Sequence, residues 1–287
     1  MDDVKIITAY CIIDDVLKGL GHESHPLAGV TDAEVLTVAV VSAMYFQNHH
    51  ERTLFVLKGM KYLTKPLSVS RFSRRLHALG QWLEYITELV GTLLAQGCAE
   101  LAFIEDSIPV PVCKRVRAVR CKKLPIVAII DGKRLQPLAY CGYCGYCAAK
   151  KEKFFGWRLH LVCTREGLPV AFQMLPGGWH DLTPVHELTF NLPPGSRVYG
   201  DKAFNSKATE QALLEEGSIH LVPVRRADMQ PNTFEEWCDL RWYRPAIETL
   251  NSQLESMGIQ RLHARTNQGF SLKVLASILA LATFNLF

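Results

Sequence analysis

Residues 101–106, LAFIED, mark the point where the hydrophobic pattern of this chain changes. Before them, apolar residues recur at helical spacing. After them come short runs with the composition of strands. These runs are FFGWRLHLV (154–162) and LPVAFQML (168–175), joined by the turn TREG, then RVYGD (197–201) and IHLVPV (219–224). The stretch therefore predicts a boundary between a helical segment and a segment that contains a sheet.

Residues 1–98 are predicted to form an all-helical N-terminal domain. VKIITAYCIIDDVLKGL (4–20) has helical spacing, and Thr31 with Glu34 forms a capping box before the next helix. A further helix is predicted from an N-cap at Ser70 to Gly97.

Residues 99–287 are predicted to form an α/β domain. Its strands come first and then alternate with helices at 206–217, at 244–255 and at the C-terminus. The most apolar run, Val274 to Phe287, has 14 residues, whereas a membrane span needs roughly 20. We therefore expect it to be a buried helix, and we expect no membrane partner.

The composition indicates a reduced, cytoplasmic protein. The chain has 287 residues, a formal net charge of +4 and nine cysteines. An odd cysteine count and the lack of an N-terminal leader pattern argue against a secreted disulfide framework. The small positive charge suits an anionic partner but does not identify one.

Three acidic residues stand where a sheet could bring them together. Asp106 and Asp201 each follow a short apolar run, and parallel neighbouring strands would bring both carboxylates to the same sheet edge. Glu248 borders the apolar face of a helix predicted to begin near Pro245. Such a cluster favours two hard divalent ions, Mg²⁺ or Mn²⁺, which assist phosphodiester displacement. The alternative is that the aspartates only form turns.

Four segments resemble the DDE transposases of bacterial insertion sequences, in particular the family named for insertion sequence 982. These segments are IEDSIPVPVCKRVRAVRCKK, KKEKFFGWRLHLVCTREGLPVAFQMLPGGWHD, LPPGSRVYGDKAF and IETLNSQLE. The resemblance implies a ribonuclease H-like mixed sheet flanked by helices, in which Asp106, Asp201 and Glu248 match the metal-binding catalytic acids. It also implies cleavage at element ends and transfer of the freed 3′ end to target DNA. A homodimer on double-stranded DNA, bound to terminal inverted repeats and associated with the bacterial nucleoid, is expected on the same basis.

Related transposases carry a Tyr, Arg, Glu, Lys signature around the last acid, and this chain matches it in part. Arg244 and Glu248 fall in place, whereas Arg241 stands at the tyrosine position and Glu255 at the lysine position. The way in which phosphates are held near Glu248, and any hairpin intermediate, therefore stay open.

Several cations are candidate DNA contacts. The segment KRVRAVRCKK has six cations and no acid directly after the Asp106 run, and a second group accompanies three aromatic residues that we expect in the core. Solvated surface charge is the alternative. The candidates are Lys114, Arg115, Arg117, Arg120, Lys122, Lys123, Lys150, Lys151, Lys153, Arg158, Lys202 and Arg244. Arg71, Arg74 and Arg75 are candidates for recognising element ends from the first turns of a helix.

Two other motifs contain residue types that bind metals. Cys141, Cys144 and Cys147 lack the partner spacing of an iron–sulfur or zinc motif, so we interpret them as part of a loop. His180 and Asp181 are interpreted as a turn with an Asp helix cap. The alternatives to a transposase are a nuclease with the same core and no joining step, and an inactive DNA-binding derivative.

Overall fold

The computed structural model describes residues 1–63, 65–121, 129–130, 133–134, 142–148 and 150–286. Its helices are α1 (Asp3–Gly19), α2 (Asp32–Phe46), α3 (His50–Gly59), α4 (Val69–Ala78), α5 (Gly80–Gly97), α6 (Val185–Thr189), α7 (Lys207–Gly217), α8 (Phe234–Ser256) and α9 (Asn267–Phe284). Its strands are β1 (Ala102–Lys114), β2 (Ile129–Ile130), β3 (Lys133–Arg134), β4 (Cys144–Cys147), β5 (Glu152–Thr164), β6 (Pro169–Pro176), β7 (Arg197–Gly200) and β8 (His220–Pro223). The predicted mixed α/β architecture with a helical N-terminal region is confirmed.

The chain forms two compact units, Met1–Val90 with Gln253–Phe287, and Gly91–Ser252. The C-terminal segment thus belongs with the N-terminal helices, whereas the sequence suggested one break after residue 98. The reason is the apolar character of α9, which packs against α2 and α1. Asn48 reinforces this packing because its amide donates to Ser277 Oγ at 3.1 Å. In the described ranges, no helix is long and apolar enough to cross a bilayer.

The helices of the first unit begin at residues that satisfy their free backbone N–H groups. The capping box of α2 is present as predicted, with Glu34 N–H donating to Thr31 Oγ1 at 3.1 Å. The predicted N-cap at Ser70 is wrong, because Ser68 accepts from the backbone N–H of Arg71 and α4 starts at Val69.

The predicted single helix ending at Gly97 is two helices, with a break at Leu79. α5 starts at Gly80, where a Cβ atom would lie 3.2 Å from the side chain of Leu272. A glycine therefore permits the tight packing of this junction.

The second unit is built on a mixed sheet with the order β4-β5-β1-β7-β8, and β6 also pairs with β5. β5 runs antiparallel to β1, β4 and β6, whereas β7 runs parallel to both β1 and β8. The predicted hairpin of β5 and β6 is confirmed, and its turn uses Gly167 at φ +80°. β2 and β3 form a separate antiparallel pair.

β1 is longer than the sequence suggested, because Pro109 and Pro111 do not end its pairing. Both prolines lie within its register with β5, opposite Arg158 and Gly156. On its other side β1 pairs with β7 only over Ala102–Ile104. Proline has no backbone N–H to donate to a neighbouring strand. Pro109 and Pro111 are tolerated because they lie beyond the segment of β1 that pairs with β7, where that side of β1 is an edge.

One face of the sheet is covered by the end of α5 together with α6 and α7. Phe103, Val162 and Val198 from the strands pack there against Leu188 and Leu213 from the helices. This core holds the parallel strands β1 and β7 side by side, which positions their following residues.

The helix that carries Glu248 starts earlier than predicted. α8 begins after Thr233, whose side chain accepts from the backbone N–H of Glu236, while the Glu236 carboxylate accepts from the backbone N–H of Thr233. Pro245 therefore lies inside α8 and not in its first turn. The Thr-x-x-Glu capping signal at 233–236 decides the start.

Candidate active site

Asp106 lies just beyond the end of the parallel pairing between β1 and β7. Its Oδ1 accepts from the backbone N–H of Ser107 at 2.8 Å, and its Oδ2 accepts from Nδ2 of Asn251 in α8 at 2.9 Å. Burial raises the pKa of Asp106 to about 6, and the negative charges of Asp201 and Asp181 add to this shift against the two hydrogen bonds. The fold therefore holds this carboxyl group where its ionisation is disfavoured.

Asp201 follows β7 at the matching position. The last parallel pair is Ile104 with Tyr199, so Asp106 and Asp201 each come two residues after it. The predicted parallel adjacency of the two strands is confirmed. The exposed Asp201 side chain caps the 3-10 helix Lys202–Phe204 by accepting from the backbone N–H of Ala203 at 2.7 Å.

Glu248 reaches the same region from α8. Glu248 Oε1 accepts from Nε of Arg244 at 2.8 Å, and both side chains are about three-fifths exposed, at 61% and 62%. Exposed pairs of this kind contribute little stability, typically about 0.3–0.5 kcal/mol. The ion pair of Glu248 therefore contributes little to the stability of the fold.

One cavity of about 70 Å³ is lined by Asp106, Asp201 and Glu248. Glu105 and Arg244 line it too. The donors are all oxygen atoms, which suits a hard divalent cation, and the mutual repulsion that raises the Asp106 pKa is what such a cation relieves. Among the residues described, however, no three His, Cys, Asp or Glu side chains are already arranged to hold a metal. The oxygen donors fit a hard cation, but the third of them, the Glu248 carboxylate, is paired with Arg244.

The opposite side of β1 carries a group of polar residues, of which the sequence singled out only Arg158 and Asp181, each for another role. Ser107 Oγ donates to Asp181 Oδ1 at 2.7 Å and accepts from Nη1 of Arg158 at 3.1 Å. Glu105 and His160 are buried, at 1% and 0% exposure, and their side chains have no hydrogen-bond partner within the described parts of the chain. An acid next to Asp106 inside an apolar run was the available signal for Glu105.

Glu105, Ser107, His160, Asp181 and Arg158 form what we call the closed face of β1, and burial is the main cause of the pKa shifts of Glu105 and His160 within it. Burial raises the pKa of Glu105 well above its usual range, and the charges of Asp181, Asp106 and Asp201 raise it further. Burial also lowers the pKa of His160 to about 4, although the carboxylate of Asp181 opposes that shift. His160 is therefore neutral near pH 7, and burial disfavours the charged form of Glu105.

The predicted helix cap at Asp181 is wrong. α6 begins only at Val185, and the Asp181 carboxylate turns to Ser107. His180 instead accepts from the backbone N–H of Leu182 at 3.2 Å through its Nδ1. The two residues therefore have separate local roles.

The first basic segment leaves the sheet at the end of β1. Lys114, Arg115 and Arg117 are exposed, and residues Arg115–Arg120 form a 3-10 helix. Lys122, Lys123 and the Arg120 side chain lie outside the described residues.

The second basic group divides into two kinds of residue. Lys150, Lys151 and Lys153 are exposed. Arg158 instead turns inward, donates to Ser107 and to the backbone carbonyl of Tyr146 at 3.0 Å, and lies 3.7 Å from Asp181. Arg158 is thus a structural residue of the closed face and not a free surface cation. Phe154 and Phe155 are buried as expected.

Cations also flank the cavity, and others lie on the N-terminal helices. Lys202 is exposed beside Asp201, and Arg244 pairs with Glu248. In α4, Arg71 and Arg74 are exposed, whereas Arg75 donates to the backbone carbonyl of Val30 and to Asp32. Arg75 therefore stabilises the helical unit, which argues against its predicted DNA contact.

The cysteine run lies partly in a strand. Cys144 and Cys147 are free thiols at the two ends of β4, a strand where we expected a loop, and Cys141 lies outside the described residues.

The region that contains these elements matches a known family. A family model described as a transposase DDE domain matches residues 96–268. The chain belongs to this family of DDE transposases. Searches of curated proteins and of solved structures found no match. The matched range of the DDE domain contains Asp106, Asp201 and Glu248, and membership implies a DNA substrate. DDE transposases generally use divalent metal ions.

Proposed function

We propose that this DDE transposase cleaves DNA strands at the ends of an insertion sequence and joins the freed 3′ ends to a target. The observation that carries the proposal is the shared cavity of Asp106, Asp201 and Glu248 within the matched domain. The sheet order, antiparallel on one side of β1 and parallel on the other, supports a ribonuclease H-like core. Membership of the family named for insertion sequence 982 is proposed from the sequence segments alone.

Asp106, Asp201 and Glu248 would hold the ions. Two Mg²⁺ or Mn²⁺ ions, when bound, would activate the attacking oxygen and stabilise the leaving oxygen of the phosphodiester. Asn251 holds Asp106 in place through its amide. Arg244, once Glu248 turns from it to a cation, is free to pair with a DNA phosphate. These two residues therefore position the acid and the substrate.

The exposed cations would hold the DNA backbone. Lys114, Arg115, Arg117, Lys150, Lys151, Lys153 and Lys202 are accessible to phosphates. The remaining proposed contacts in the first segment are Arg120, Lys122 and Lys123. We propose that Arg71 and Arg74 of the helical region contact element ends. Because two ends must be joined, a homodimer on DNA in the bacterial nucleoid is part of the proposal.

The test is an assay of cleavage and joining on DNA that carries the element's own terminal inverted repeats. With Mg²⁺ or Mn²⁺ the parent protein should nick these ends and join them to a target, and Asp201→Ala should do neither. Cleavage without joining would favour the nuclease. Retained DNA binding with no cleavage by the parent would favour the inactive derivative.

A further inference from the structure

One face of α8 exposes two aromatic rings and two arginines in a line. Phe234 is 81% exposed and Trp237 is 51% exposed, and their rings stack with centroids 6.4 Å apart and an interplanar angle of 21°. The guanidinium of Arg241 lies 5.3 Å from the centroid of the Trp237 ring. Arg244 follows one turn later. We call these four residues the α8 stripe.

The stripe leads along the helix to the acidic cavity. Positions three or four apart lie on the same side of a helix, so the stripe continues into Glu248. At about 1.5 Å per residue, Phe234 and Glu248 are roughly 20 Å apart along the axis. Arg244 and Glu248 both line the cavity. A strand whose phosphate lies at the acids could therefore continue along the stripe.

Among the residues that the structure describes, the fold does not use the stripe for packing. α8 is held by its other face, where Tyr243, Ile247 and Leu250 are buried. Two large aromatic side chains that remain exposed side by side are characteristic of a binding surface.

The charges of the stripe suit an anionic polymer. The acids of the same helical segment are turned away from it or occupied. Asp239 accepts from the Tyr199 hydroxyl at 2.8 Å, Glu235 lies 3.6 Å from Arg197, and Glu236 accepts from the backbone N–H of Thr233. The stripe itself presents rings and guanidinium groups.

We propose that the α8 stripe binds the bases of an unpaired DNA strand end next to the acidic cavity. Aromatic rings stack on bases only when those bases are not already stacked in a duplex, whereas cations alone would serve a paired backbone. The stripe thus selects a frayed or single-stranded end over a fully paired one. This inference rests on the proposed function, because it takes DNA as the substrate.

The test compares binding of two labelled probes without divalent metal. One is a single strand of about ten nucleotides, within the range of known single-strand sites, and the other is the blunt duplex of the same sequence. The double variant Phe234→Ala, Trp237→Ala should bind the single strand about tenfold to a hundredfold more weakly. Its affinity for the duplex should change less than about twofold, since phosphate contacts remain.

Trp242→Ala is the matched control. Trp242 lies on the same helix and is 65% exposed, but its ring packs under Arg165 and not in the stripe. This control should bind both probes like the parent. Because all three altered rings are exposed, circular dichroism melting should show an unchanged fold.

Three results would overturn the inference. The first is an equal loss of affinity for both probes in the double variant, and the second is the absence of single-strand binding by the parent. The third is a double variant that loses self-association in sedimentation but binds DNA like the parent, which would make the stripe a protein interface. The proposed function fails separately. If the parent neither cleaves nor joins DNA but the double variant still loses affinity for the single-stranded probe alone, the proposed function is wrong and the proposal for the α8 stripe is retained.

Discussion

The two faces of β1 at residues 105–107 place acids in opposite situations. Asp106 turns to α8 and a cavity that Asp201 and Glu248 also line. Glu105 borders the same cavity but is fully buried, and it alternates with Asp106 along the strand, on the side where Ser107 donates to Asp181. Successive residues of one strand point to opposite sides, so neighbours in sequence acquire unrelated chemistry. The open face keeps the Asp106 carboxylate, whose ionisation is disfavoured, within reach of a ligand. The closed face stabilises β1, the strand that carries Asp106.

The largest effect is expected from Asp106→Asn. This variant should lose cleavage and joining, because an amide is a poor ligand for a hard cation. Without metal it should be more stable than the parent at pH 7. The pKa of Asp106 rises from 3.8 to about 6, which corresponds to about 3 kcal/mol. Chemical denaturation and the DNA assay measure the two outcomes. A less stable or fully active variant would place Asp106 with the structural residues.

The two faces should respond oppositely to pH. Asp106 has a raised pKa of about 6, so its contribution to stability is full below pH 3.8 and is lost as pH rises towards 6. His160 has a lowered pKa of about 4, so its contribution is full above pH 6.5 and is lost as pH falls towards 4. Asp106→Asn should therefore gain stability relative to the parent as pH rises from 4 to 6. His160→Leu should gain relative to the parent as pH falls from 6.5 to 4. Denaturant midpoints across this range check both slopes, and slopes of the same sign would contradict the contrast.

A smaller effect is expected from Asp181→Ala on the closed face. The change removes the acceptor of Ser107 Oγ and the nearest carboxylate of Arg158. We expect a loss of about 1–3 kcal/mol in the free energy of unfolding. Asp181→Asn is the control, because it keeps an oxygen for Ser107 and should lose less. Equal losses in the two variants would show that charge, and not the hydrogen bond, matters there.

The sequence predicted the open face better than the closed one. Asp106 and Asp201 each end an apolar run, and the sequence raised the possibility of parallel neighbouring strands, which the pairing of β1 with β7 confirms. Glu248 required only a helix, and its helix exists although Pro245 lies in the interior. The closed face depends on a cross-strand register that pairs Ser107 with His160, which residue spacing does not reveal. The same holds for α9, whose packing on α2 joins the two ends of the chain.

The smallest effect, and one of opposite sign to Asp181→Ala, is expected from Glu105→Met. Neither carboxyl oxygen of Glu105 has a hydrogen-bond partner in the described segments, and its surroundings are buried. A polar group buried without partners costs about 1–3 kcal/mol in proteins, so an apolar side chain of similar length should raise the free energy of unfolding by about 1 kcal/mol. Urea midpoints measure the change, with Glu105→Gln as a control that retains polarity. If Glu105→Met instead lowers stability or stops cleavage, Glu105 has a partner in the working protein and both faces of β1 belong to the active site.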